Sequence, residues 1–276
     1  MKARVYWEGG EGVTDLSRPI DIAIALDFSA DQPRHFGAPQ ARSQPFAVPG
    51  FSGSVARGAS CNCNIITLTP HCNGTHTESA GHLTTEPLDA HRQVPAGLLT
   101  AVLLSVEPVD TQATTETTDP APKPGDELIT RASLERGFHS VPTHSVPFQP
   151  RALIIRTLPN DGDKVRRDYT DMTPPYLSRA AAEFLVERGI EHLVVDLPSI
   201  DRARDEGRLT AHRVFFGLPP GSQSLGQAKR QRSTVTELAF IPDAVADGLY
   251  LLEIQVPPIG GDAVPSRPLL YMFESP

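Results

Sequence analysis

Short apolar runs broken by proline and glycine recur along the whole chain, and they are most regular between positions 151 and 197. Ala152–Thr157 (ALIIRT) is a continuous apolar run of the kind that forms a buried strand. Leu177, Ala181, Phe184, Leu185 and Arg188 then recur at helical spacing, with Ser178 near the start and Gly189 as a C-terminal stop. Residues 192–197 (HLVVDL) form a second apolar run. Strand, helix and strand in that order predict a βαβ unit with a parallel pair. Residues 20–27, 65–69 and 98–106 upstream, and 234–239, 249–256 and 269–273 downstream, also read as extended. The pattern predicts an α/β fold, a mixed β-sheet or barrel surrounded by a few helices.

Two stretches interrupt it. Residues 107–127 (EPVDTQATTETTDPAPKPGDE) read as a surface loop between a strand and a short helix. Residues 32–53, dense in Pro, Gly and Ser, read as a second long loop, and loops of that length often serve a site or an interface. With 27 prolines, roughly twice average usage, many turns are expected. The 276 residues are read as a single domain spanning 1–276, because the two parts carrying candidate chemistry lie far apart in sequence.

Charge and composition remove several function classes. Lys and Arg number 25 against 33 Asp and Glu, a net charge of -8, which argues against electrostatic binding of nucleic acid. The most apolar stretch, 94–106, is too short for the roughly 20 residues that cross a bilayer, and the first dozen residues lack a secretory pattern. A cytoplasmic protein without a membrane partner is expected. Cys61, Cys63 and Cys72 cannot all pair within one chain, and no CxxC is present.

The densest cluster of metal-capable side chains is HCNGTHTESAGH, residues 71–82, with His71, Cys72, His76, Glu78 and His82 as candidate ligands. If the segment is extended, alternate side chains share a face. Cys72, His76, Glu78 and His82 then share one parity and His71 points the other way, unless Gly74 bends the chain. A thiolate, an imidazole and a carboxylate on one face can hold a divalent cation. Elsewhere the pattern is blander. Cys61 and Cys63 read as small packing residues, and His91, His139, His144 and His192 as surface or supporting residues. Asp196 and Asp201, in DLPSID at a strand end, are more often solvated turn residues than site residues, and the run from Lys229 to Arg232 reads as a solvated face. A nucleophile elbow, a phosphate loop and an HExxH pair are all missing.

The string from Cys72 to His82, CNGTHTESAGH, resembles the HxGTHxDxxxH motif of the cyclase family of metal-dependent hydrolases, which includes bacterial kynurenine formamidase and isatin hydrolase. DLSRPID near the start, the segment from Asp171 to Gly217, STVTELAFIPDAV, and the closing GLYLLEIQVPPIGGDAVPSRPLLY resemble further parts of that family, so the likeness spans nearly the whole chain. It implies a cyclase-like swivelling β/β/α fold and a metal-activated water that hydrolyses the amide C–N bond of an arylformamide or cyclic amide. It implies His76, Glu78, His212 and Glu237 as metal ligands. His82 becomes the proton-transferring catalytic histidine and Glu237 its partner. Cys72 stands where the family has its first histidine ligand. A thiolate ligand, an imidazole supplied by His71, or loss of that ligand are the alternatives. Zinc is the implied cofactor, with manganese possible, and a thiolate would favour zinc. Family members often form dimers or tetramers, which makes a homodimer or homotetramer the expected assembly and the 32–53 stretch a candidate interface. The alternative functions are a non-catalytic metal- or ligand-binding member of the fold and a hydrolase of lactones or other rings.

Overall fold

A computed structural model describes residues 1–7, 10–141 and 149–274; His144 lies outside the described residues. Nine strands make one sheet: β1 (Ile20–Asp21), β2 (His76–Glu78), β3 (Leu99–Val106), β4 (Ala152–Thr157), β5 (His192–Val195), β6 (Thr234–Glu237), β7 (Gly248–Gln255), β8 (Ala263–Pro265) and β9 (Arg267–Met272). Their order is β8-β2-β6-β5-β4-β3-β7-β9-β1. The four central strands β3, β4, β5 and β6 are parallel, and every pairing outside them is antiparallel. Three helices make the parallel crossovers: α1 (Arg131–Ser140), α2 (Arg179–Glu187) and α3 (Thr210–Phe216).

The continuous apolar runs of the central strands follow from this topology, because helices bury one face and the rest of the fold the other. Leu153 and Ile155 of β4 join the cluster under Leu134, Phe184, Leu185 and Phe215, while Ala152 and Ile154 join Leu103, Val194 and Leu252 on the opposite face. Ser178 caps α2 by accepting from the Ala181 amide, and Thr130 caps α1 from Ser133. This is the mixed α/β architecture that the sequence predicts, including the parallel β4–β5 pair around α2.

Several local expectations are corrected. Only Ile20 and Asp21 of the 20–27 stretch lie in the ladder. Beyond them only an isolated bridge, Ala23 with Ala239, continues the pairing, and side chains take the next amides: Ile24 donates to Thr75 Oγ1 and Ala23 to Asp21. The 65–69 run is not a strand of the main sheet. Asn64–Thr67 pairs with Arg42–Pro45 in a separate two-stranded ribbon, and Ala47–Val48 pairs with Phe51–Ser52 beyond it, so much of the 32–53 loop is a β arm. Cys61 and Cys63 lie exposed on this arm and pack into no core. The 107–127 loop contributes Val109–Asp110, which pairs with Glu127–Ile129. Asp196 and Asp201 are buried, not solvated. In the basic run, Lys229 and Arg232 are exposed, but Arg230 donates to the Phe215 carbonyl at 2.6 Å and stacks over its ring.

Candidate metal centre

Parallel α/β sheets gather sites at the carboxyl ends of their strands, and Glu237 is the last residue of β6. The GTH stretch sets its neighbours. Gly74 adopts φ +71, which favours glycine, and a Cβ there would press to 2.9 Å of Leu26. Thr75 braces the turn, its hydroxyl donating to the Leu238 carbonyl and accepting from the Ile24 amide. His76 then enters β2 directly opposite Glu237.

The imidazoles are aimed by their outer nitrogens. His76 Nδ1 lies 3.1 Å from the Gly74 carbonyl, and an acceptor there fixes the proton on Nδ1 and turns Nε2 inward, 3.3 Å from Glu237 Oε2. His212 sits in the first turn of α3. The N-cap residue Leu209 offers no capping side chain, and Asp201 acts instead, accepting from the Ala211 and His212 amides at 2.7 and 3.0 Å. The same carboxylate accepts from His212 Nδ1 at 2.7 Å, so Nε2 faces Glu78 Oε1 at 2.7 Å and Glu237 Oε1 at 3.5 Å. Glu237 is held in turn by the Ile200 amide at 2.9 Å.

The buried inner atoms are left without aligned hydrogen bonds. His76 Nε2, His212 Nε2 and Glu78 Oε1 are buried without an aligned partner, and Glu78 is shared by the donor groups that contain the two histidines. Glu78 and Glu237 are both almost fully buried, and two adjacent buried carboxylates require a compensating cation. Burial raises the Glu78 pKa, but the surrounding His82, His212 and His71 hold it well below the usual range. Burial and the Glu78 charge raise Glu237, and His212 and His76 outweigh them. Burial disfavours charge on His212, yet the carboxylates of Glu78, Asp201 and Glu237 push its pKa well up. Three groups of donor atoms within 4.8 Å of one another occur among the described residues: Glu78 with His212 and Glu237, His71 with His76 and Glu78, and His71 with His82 and Asp262. The donor set of imidazoles and carboxylates, with buried atoms lacking a partner and Glu78 common to two of the groups, fits a divalent metal.

The parity expectation fails, and this changes the cluster. Pro70–Cys72 is a 3-10 turn, so residues 71 and 72 do not alternate as in a strand. His71 points inward, its Nδ1 3.0 Å from Glu78 Oε2. Cys72 is buried nearby with its carbonyl accepting from the His35 amide at 3.1 Å, but its sulfur joins none of the three donor groups. Burial and the Glu237 charge push its thiol pKa up. His82 lies in another 3-10 turn, Ala80–Leu83, its ring centroid 4.3 Å from that of His71 and 5.7 Å from that of His212.

A cavity of about 360 Å³ opens onto His71, Glu78, His82, His212 and Glu237, walled by Phe36, Pro198, Leu209 and Arg204. Sequence reasoning missed Asp262, Phe36 and the adjacent His35. Asp201 stands out in the sequence at a strand end, but no spacing there connects it to His212. The signals were weak, since Asp262 sits in a glycine turn 184 residues beyond Glu78 and meets the cluster only through strand pairing.

Fold and site together define an α/β protein with a buried histidine–carboxylate centre at the edge of a mixed sheet. The profile of the family described as putative cyclase matches residues 14–202, and the chain belongs to that family. Solved structures share the fold. A predicted metal-dependent hydrolase from Bacillus stearothermophilus superposes with a TM-score of 0.56 at 14% identity, covering 92% of this chain and 98% of that one. Isatin hydrolase A from Labrenzia aggregata gives 0.57 at 17% identity, covering 93% and 94%. An isatin hydrolase bound to the product analogue thioisatinate gives 0.56 at 16%, covering 93% and 92%. Among curated proteins, none matches the sequence.

Proposed function

We propose that this protein is a metal-dependent hydrolase that cleaves the amide C–N bond of a small molecule, an arylformamide or a cyclic amide. The observation that carries this reading is that His76 Nε2, His212 Nε2 and Glu78 Oε1 are buried without aligned hydrogen bonds, in two donor groups that share the Glu78 carboxylate. Family membership and the nature of the structural neighbours, two of them isatin hydrolases and one a predicted metal-dependent hydrolase, support it. His76, Glu78, His212 and Glu237 would hold the metal, zinc or manganese. Bound there, the ion supplies Lewis acidity toward the carbonyl and lowers the pKa of water from 15.7 to about 7.

The chain's own groups supply the rest. His82 stands at the pocket edge beside His71 and His212, placed to take the proton from the attacking water and pass it to the leaving nitrogen. Water oxygen bonds to the carbonyl carbon, the C–N bond breaks, and the nitrogen leaves protonated. Such proton transfer contributes roughly 10²–10⁴-fold. Phe36, Pro198 and Leu209 give the cavity an apolar wall that suits a ring and limits water. Asp201 and the Gly74 carbonyl hold the imidazoles in one tautomer throughout.

The same reading has the protein acting on free small molecules as a homodimer or homotetramer, with the exposed β arm as the contact between copies. Elemental analysis of the purified protein, followed by assay against N-formylarylamines and cyclic amides, tests the function. Stoichiometric metal with turnover is expected. His82→Ala should cut kcat about 100-fold or more while leaving metal content near that of the parent. A parent chain that takes up no metal after zinc and manganese supplementation, and hydrolyses none of these amides, overturns the hydrolase.

A further inference from the structure

Every imidazole that faces the buried carboxylates carries an acceptor on its outer nitrogen: the Gly74 carbonyl for His76 and Asp201 for His212. His71 repeats the arrangement with its nitrogens exchanged. Its Nε2 lies 2.8 Å from Asp262 Oδ2 and its Nδ1 lies 3.0 Å from Glu78 Oε2. We propose that His71, oriented by Asp262, supplies the imidazole metal ligand that position 72 lacks, and that Asp262 is the positioning carboxylate of this dyad while Cys72 stays outside the shell. The inference rests on the metal-dependent reading above and deepens it.

The geometry of Asp262 is built into the fold. Asp262 immediately precedes β8, whose Ala263 pairs with Glu78 of β2, and the Asp262 carbonyl accepts from the Ser79 amide at 2.9 Å. On its other side the Gly261 amide donates to Asp89 at 3.0 Å and the Gly261 carbonyl accepts from the Ala90 amide at 2.8 Å. The ladder that positions Glu78 therefore also positions the acceptor for His71. Gly261 has φ +140, which favours glycine, so the turn that delivers the carboxylate is itself specified by sequence.

Carboxylate acceptance at one ring nitrogen keeps the proton there and leaves the other nitrogen as the donor atom, and removing such an outer partner typically costs 10–100-fold in metal affinity. Cys72 lacks the corresponding placement. Its sulfur shares no 4.8 Å donor group, whereas His71 joins His76 and Glu78 in one. The same Asp262 oxygen lies 3.4 Å from His82 Nδ1, so one carboxylate at the cavity mouth touches both the ligand imidazole and the proton-transferring one.

Zinc affinity of the purified full chain, measured by competition with a chromophoric chelator, tests this without reference to turnover. His71→Ala and Asp262→Asn should each weaken zinc binding, the latter by about 10–100-fold, while Cys72→Ser and His82→Ala stay within about threefold of the parent. The double variant His71→Ala/Asp262→Asn should bind zinc no worse than His71→Ala alone, because Asp262 acts through His71; independent structural damage would add instead. A cobalt-loaded parent should lack a thiolate charge-transfer band. If Cys72→Ser loses zinc while His71→Ala and Asp262→Asn keep it, or the cobalt band appears, the inference is overturned and the hydrolase reading stands. Should the parent bind no zinc at all, both fall.

Discussion

Asp201 serves three donors at once: two amides that open α3 and the outer nitrogen of His212. Replacing it with alanine leaves those buried groups unpaired, at a cost of about 1–3 kcal/mol for each group left unsatisfied. Asp201→Ala is therefore expected to lower Tm by several degrees in metal-free protein and to reduce zinc affinity about 10–100-fold. Asp201→Asn should retain more of the stability than of the zinc affinity, since its amide can face one donor but removes the charge that fixes the imidazole tautomer. Thermal melts of metal-free and zinc-loaded protein read both effects, and equal losses in the two variants would remove the distinction. At this scale the sequence was legible where chemistry is local. His76, Glu78 and His82 lie within one motif, and His212 and Glu237 followed from family likeness. The motif's spacing misled at His71 and Cys72, because a proline-initiated 3-10 turn and a left-handed glycine replace the strand that parity assumes. Asp262 was invisible because only the β8–β2 pairing brings it to the cluster.

Between residue and fold, the elements of the parallel core were the most readable, since continuous burial on both faces writes itself as unbroken apolar runs. Composition marks 107–127 as a surface loop between a strand and a short helix, but the loop also ties together the starts of all three helices. Glu116 accepts from the Arg131 and Ala132 amides of α1 and from Ser178 before α2, the Thr117 carbonyl accepts from the Arg179 amide, and the Asp119 carbonyl accepts from Thr210 in α3. Hydrogen bonds to helix termini have no sequence period, which is why composition concealed them. β5 carries an acid-sensitive group as well. His192 is buried against Thr234, its Nδ1 2.9 Å from the hydroxyl, and burial pushes its pKa down to about 4. Its folded pKa lies below the unfolded value of 6.5. The unfolded chain therefore binds the proton first as pH falls. Stability from this residue is complete above about pH 6.5 and lost progressively toward pH 4, by about 3 kcal/mol. Urea unfolding across that range should show a shallower acid decline in His192→Gln than in the parent, and parallel curves would exclude His192 as the source.

Across the whole molecule, the arm formed by residues 42–67 is the part least explained by the chain's own packing. Its ribbon exposes Phe46, Val48, Phe51, Val55, Ile65 and Ile66. A two-stranded ribbon alone is marginally stable in water, and this many exposed large apolar side chains on one arm make it a candidate interface. The arm carries Arg42 and Arg57 and no acidic residue, on a chain whose net charge is -8, so a second copy of the same acidic body complements it in charge as well as in polarity. The proline- and glycine-rich composition that predicted a loop reports the turns at Pro49–Gly50 and Gly58, and the glycine at 53 is required because a Cβ would fall 2.4 Å from the Cys63 carbonyl oxygen. Composition thus identified the stretch as special but not as a ribbon, since its two strands lie some twenty residues apart and bury no face within one chain. The arm also roots at both ends in the site: Phe36 walls the cavity on one side and His71 follows on the other. Sedimentation of the parent at micromolar concentration is accordingly expected to give a dimer or tetramer. The double substitution Phe51→Ser/Ile66→Ser, which touches no residue of the metal centre, should shift it toward monomer and raise KM more than it lowers zinc content, because an unanchored arm loosens Phe36 while leaving the buried ligands in place. A parent that sediments as a monomer, or a double variant with unchanged assembly, would remove the arm from the interface.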